Sequence, residues 1–137
     1  MRSGCVFLFF IAGCSANDVA NGRWSVTVEP PADVQEVIDA VSALPECGSL
    51  QGGGVIHWHA VDFLCMSIQV TGCAFPFEDP RRIEVVYRGS AWDSSLPHEL
   101  CHLCGYTDED NFTEVEACAY RARQARPPAP PLTGGTR

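Results

Sequence analysis

Lysine is absent from the 137 residues; all nine basic side chains are arginine. That excludes chemistry built on a lysine base, a Schiff base or the lysine of a phosphate-binding loop. Histidine is scarce, with copies only at positions 57, 59, 98 and 102, and methionine occurs only as Met1 and Met66. No apolar run approaches the ~18 residues that a membrane-spanning helix needs. A G-x-S-x-G turn is missing too, which removes the usual exposed serine nucleophile. Positive charge is thin in the body of the chain: between residues 15 and 120, four arginines face all seventeen acids. Such a surface repels phosphate backbones, so no nucleic-acid partner is expected, and it favours cations.

What is present begins with the N-terminus. Met1-Arg2-Ser3 is a short positive segment, Val6 to Ile11 is apolar, and Ile11-Ala12-Gly13-Cys14 resembles a bacterial lipobox. Residues 1–13 therefore read as a lipoprotein signal peptide, with Cys14 as the lipidated first residue of a protein held at a membrane of the bacterial cell envelope. An ordinary secretory signal or a buried strand is the plainer alternative. Cys5 would leave with the signal. Cys47, Cys65, Cys73, Cys101, Cys104 and Cys118 remain, an even set that in an oxidising compartment implies up to three disulfides. Spacing does not choose among the ~15 pairings of six cysteines.

Chain length and an apolar content of 46% suit one globular domain. Residues 14–21 read as a polar tether. Trp24 to Val28 alternates as a strand, and Val34, Val37, Ile38, Val41 and Leu44 recur at helical spacing over 32–44. Pro45 and the glycines up to Gly54 read as loop. Strands are expected at 55–62, 67–71 and 83–87, and helices near 97–104 and 112–125. Cys65 and Cys73 flank the middle strand, where a disulfide would close a short loop. Residues 126–137, rich in proline and glycine, read as a disordered tail. The expectation is an α+β domain over 22–125, ordered β-α-β-β-β-α-α, with a small core that disulfides support.

The segment that carries chemistry is Pro97-His98-Glu99-Leu100-Cys101-His102-Leu103-Cys104-Gly105. On a helix, His98 and His102 stand one above the other, so both imidazoles can reach one metal ion. Glu99 lies about 100° further round, where a carboxylate can take a proton from metal-bound water. Pro97 is tolerated only in a first turn, and Gly105 suits a helix stop.

This H-E-x-x-H helix, preceded by strands, resembles the zincin metallopeptidases. The resemblance implies a zinc ion on His98 and His102, Glu99 as general base, and a third ligand further along. One version is metzincin-like, of the snapalysin type, with Asp108 closing His98-Glu99-x-x-His102-x-x-Gly105-x-x-Asp108. The methionine turn of that group has no counterpart here. The other is gluzincin-like, with a glutamate from the next helix, where Glu114-Val115-Glu116-Ala117 stands. Helical phase does not separate Glu114 from Glu116, since both border the apolar stripe. Glu116 is taken first, Asp108 second, with Glu114 and Asp110 behind them; a solvated face is the ordinary fate of such acids.

His57-x-His59 is a second histidine pair on one strand face, but the further histidines or the glutamate a few residues on that would complete a ligand set are missing, so a place in a cleft wall or in solvent is expected. Cys101 and Cys104 point away from Glu99, and disulfides to Cys47 or Cys118 suit them better than zinc. The functional expectation is a monomeric zinc-dependent metallopeptidase acting on a peptide or protein substrate. A non-enzymatic zincin-like lipoprotein, binding metal or a partner, is the alternative.

Overall fold

The computed structural model describes residues 17–19, 24–26, 30–106, 112–129 and 131. The signal peptide, Cys14, Asp108, Asp110 and residues 132–137 lie outside them. Within them the chain is α+β, as expected. In order come β1 (Asn17–Val19), β2 (Trp24–Val26), α1 (Val34–Ser42), a 3₁₀ segment (Pro45–Gly52), β3 (Gly54–His59), β4 (Phe63–Cys65), β5 (Ile68–Val70), β6 (Gly72–Phe75), β7 (Arg82–Val86), α2 (Leu96–His102) and α3 (Phe112–Gln124).

Five strands form one sheet in the order β1-β2-β3-β7-β6. The inner strands β2, β3 and β7 run parallel, while β1 and β6 pair antiparallel at the two edges. α1 is the crossover between β2 and β3, the connection that parallel neighbours require. Period two on the sheet turns Trp24, Val26, Ile56, Ile83 and Val85 to one side, where they are buried. Helical spacing supplies Val34, Val37, Ile38 and Val41 from α1, Leu96 and Leu100 from α2, and Val115, Ala119 and Ala122 from α3 to the same core. Gly54 lets β3 pass the Trp24 ring: a Cβ there would stand 2.8 Å from that ring and 2.6 Å from the Arg81 carbonyl.

Three expectations change. Residues 17–19 belong to a strand rather than to the tether, because they pair with β2. Pro45–Gly52 winds into 3₁₀ turns and contributes buried Cys47 and Leu50 to the core, although its glycines read as loop. The middle strand is part of a hairpin, β4–β5, followed by β6. The hairpin turns at Met66 and Ser67, whose positive φ values of 50° and 68° are unusual for residues other than glycine and asparagine.

All six cysteines of the domain are paired: Cys47–Cys104, Cys65–Cys73 and Cys101–Cys118. The first and third bracket the C-terminal end of α2, joining it to the 3₁₀ segment and to α3. Chain-entropy arithmetic for loops of 57 and 17 residues gives about 4 and about 3 kcal/mol. The helix that carries the H-E-x-x-H pattern is therefore fastened on two sides.

Candidate metal centre

α2 begins where its sequence dictates. Pro97 fills a first-turn position, and the Ser94 hydroxyl accepts from the Leu96 amide (3.1 Å) while donating to the Ala91 carbonyl (2.6 Å). Leu96, Leu100 and Cys101 face the core. That choice of buried face turns His98 the other way, toward α3 and the cleft, with His102 beside it. Gly105, at φ 103°, ends the turn as expected.

The two imidazoles converge. Their Nε2 atoms lie 3.1 Å apart, and the rings meet at 76° with centroids 4.8 Å apart. Each Nδ1 faces an acceptor: His102 Nδ1 donates to the Tyr106 carbonyl at 2.7 Å, and His98 Nδ1 to Glu116 Oε1 at 2.5 Å. With the ring protons on Nδ1, the tautomer these acceptors favour, both Nε2 lone pairs face each other; with a proton on one Nε2 the same contact is a hydrogen bond between the rings. Two nitrogens on one tetrahedral zinc ion, each about 2.0–2.1 Å from it, are about 3.3–3.4 Å apart, so the observed spacing fits a shared cation. Outer acceptors on the far ring nitrogens are the usual way such ligands are oriented. Burial first, and then the repulsion that two protonated rings so close would feel, hold the His98 imidazole below the usual histidine range against the pull of Glu116. A neutral ring is the form that binds metal.

Glu99 forms part of the same cleft wall and is 6% exposed. Burial pushes its carboxyl up to about 8, because a charge there is poorly solvated. A cation nearby would favour the carboxylate, leaving a base poised near neutral pH. The opposite wall is Gly72, the first residue of edge strand β6. A Cβ on Gly72 would come within 2.4 Å of Glu99 Oε1 and 2.8 Å of the Ser95 Cβ. A side chain at this position would displace the carboxyl. The cleft between β6 and the α2–α3 pair has a volume of about 790 Å³, and Thr71, Ser95, Glu116 and Arg123 also line it.

The sequence-based site residues fare unequally. His98 and His102 converge, and Glu99 lines the same cleft as His98. Glu116 reaches the centre but corrects the expectation of a third ligand: its carboxylate holds Nδ1 of His98, the ring nitrogen turned away from the converging pair. α3 docks beside α2 so that this side chain meets Nδ1 rather than Nε2. Glu114 is exposed on α3, and Asp108 lies outside the described residues. Gly72, the Tyr106 carbonyl and Arg123 were missed. None of them belongs to a local motif, so no sequence signal marks them.

Among the described residues, three ligand-type side chains come within 4.8 Å of one another at Cys47, Cys104 and Cys118, a grouping that could hold a metal ion. Cys47 and Cys118 sulfurs are 3.8 Å apart. In the oxidised protein all three sulfurs are in disulfides, with Cys104 bound to Cys47 and Cys118 to Cys101, and none offers a thiolate. His59 of the other histidine pair places Nε2 on Glu84 at 2.9 Å and stacks on Phe63 at 4.0 Å.

No family model, curated protein or solved structure matches this chain.

Proposed function

We infer that this protein is a zinc-dependent peptidase whose centre is His98, His102 and Glu99. The observation that carries the reading is the convergence of two Nε2 atoms at 3.1 Å with both Nδ1 atoms engaged elsewhere. A bound zinc ion would supply Lewis acidity at His98 and His102. The chain's own groups supply the rest. Glu99, beside the histidines and largely shielded from solvent, takes a proton from the attacking water and returns it to the leaving amine. β6 is an edge strand of the sheet, so an extended peptide could add to it and pass Gly72 next to Glu99. Glu116 and the Tyr106 carbonyl keep the imidazoles in register.

The three disulfides support an oxidising compartment. With Cys14 lipidated, the domain would be held at the bacterial cell envelope. A second reading, a metal-binding scaffold without catalysis, is favoured by one feature: among the described residues only two nitrogens face the shared point. The two readings separate on Glu99→Gln. The peptidase reading expects cleavage of an unbiased peptide library by the wild type to fall ~10²–10⁴-fold in the variant, with zinc content kept. Equal cleavage by both proteins would remove Glu99 from the mechanism, and no cleavage by either would favour the scaffold.

A further inference from the structure

The cleft contains a cation that the catalytic reading does not use. Arg123 follows Glu116 by seven residues on α3, nearly two helical turns, so both leave the same face about 10.5 Å apart along the axis. Helical side chains lean toward the N-terminus, which tilts Arg123 back toward Glu116 and the His98 ring. Arg123, Glu116, His98 and Glu99 line one cavity.

The other described arginines are engaged. Arg81 donates to the Gly53 and Ser49 carbonyls, Arg82 to Glu78 and Glu84, and Arg88 to Asp62. Arg121 pairs with Glu46, and Arg126 with Asp93. Among the described residues, Arg123 has no such partner. Three of the cleft's four acids have partners, Asp62 with Arg88, Asp93 with Ser90 and Arg126, and Glu116 with His98, while the fourth, Glu99, is buried against Gly72. An anion entering the cavity therefore meets one uncommitted guanidinium, in a chain whose net charge is −8. Arginine presents a planar fork that matches a carboxylate.

We propose that Arg123 is a specificity residue that holds a substrate carboxylate, so that the preferred peptides carry one near the bond to be cut. An extended peptide covers 10.5 Å in about three residues, so the carboxylate lies within about three residues of that bond. A free C-terminus and an aspartate or glutamate side chain offer the same group.

This inference rests on the peptidase reading for the bond cut, but not for the carboxylate, and the test keeps the two apart. N-acetylated hexapeptides are prepared with a free or amidated C-terminus, and with glutamate or glutamine at each of the three positions flanking the cut. Cleavage is measured with the zinc-loaded wild type, Arg123→Ala and Arg123→Lys. Binding of the same peptides, fluorescently labelled, is followed by anisotropy in a Glu99→Gln background, with and without Arg123→Ala. Arg123 is exposed, and circular dichroism verifies that its variants fold.

The expected result is a preference for carboxylate peptides that Arg123→Ala reduces about 10–100-fold in kcat/KM and in affinity, leaving the amide and glutamine peptides unchanged. Arg123→Lys should keep part of it. Preference for the free acid over the amide identifies a C-terminal carboxylate; preference for glutamate over glutamine identifies a side chain. Cleavage with no carboxylate preference, or an equal loss for all peptides, overturns the proposal and leaves the peptidase reading standing. An Arg123-dependent carboxylate preference in binding without any cleavage supports the subsite and sinks the peptidase. Neither cleavage nor preferential binding overturns both.

Discussion

Two histidine pairs in this chain satisfy the same rule and end differently. His98 and His102 share a helix face; His57 and His59 share a strand face. On α2 each Nδ1 meets an acceptor and the Nε2 atoms converge at 3.1 Å. On β3, His59 instead commits Nε2 to Glu84 and stacks its ring on Phe63. Sharing a face brings two imidazoles near each other, but the acceptor at the far nitrogen decides whether the near one remains available. The helical pair turns Nε2 to Nε2, and on the strand His59 is tied into an ion pair with Glu84 of β7.

The comparison breaks most sharply on zinc content. Elemental analysis of His98→Ala and His102→Ala should show loss of stoichiometric zinc, whereas His57→Ala and His59→Ala should retain it. Zinc that follows the β3 pair instead would reverse the assignment.

A smaller effect concerns the acid beside the helical pair. In zinc-free protein, the Glu99 carboxyl holds its proton up to about 8, while in the unfolded chain it ionises near its ordinary value of 4.5. Between those values the native state binds more protons than the unfolded state. The stability linked to Glu99 is therefore full below about pH 4.5, falls as pH rises toward 8 and is level above that. The loss at pH 7 amounts to about 3 kcal/mol. Urea melts of the chelator-treated protein should show this slope, and Glu99→Gln should flatten it. An unchanged pH profile in the variant would mean that Glu99 is better solvated than its burial implies.

Next in size is Gly72→Ala. Its methyl would stand 2.4 Å from Glu99 Oε1, so the carboxyl must move. A displacement of about 1 Å can cost ~10² in rate. On the peptidase reading the variant should lose activity to that extent without losing zinc; full activity would show that Glu99 need not sit against β6.

Much of the helical site was legible in sequence because the i, i+4 rule and the positions of Pro97 and Gly105 are local. α1 and β3 were legible for the same reason, through strong periodicity. β6 was not: Gly72-Cys73-Ala74-Phe75 contains no β-branched residue and becomes a strand through its pairing with β7 and the Cys65–Cys73 link. The β4–β5 hairpin lacks the asparagine-glycine signal and turns at Met66-Ser67. Glu116 shows the limit most clearly. The helix that carries it was legible, but helical phase did not separate it from Glu114, and its meeting with Nδ1 of His98 depended on how α3 docks beside α2. Likewise, the requirement for a glycine at position 72 exists only once a strand and a helix distant in sequence have met.

The smallest expected effect tests the outer acceptor that sets the two pairs apart. Glu116→Gln keeps a hydrogen-bond acceptor at His98 Nδ1 but removes its charge, while Glu116→Ala removes both. Competition with a zinc-binding dye should show a 10–100-fold weaker affinity for the alanine variant and a milder loss for glutamine. Complete loss of zinc in both would restore Glu116 as a direct ligand.

The central claim, that the two α2 imidazoles are built to share a metal ion, is tested most directly by anomalous diffraction at the zinc edge from crystals grown with zinc. The account predicts one peak within bonding reach of Nε2 of both His98 and His102. A peak at the Cys47, Cys104 and Cys118 sulfurs or between His57 and His59, with none on α2, would contradict it.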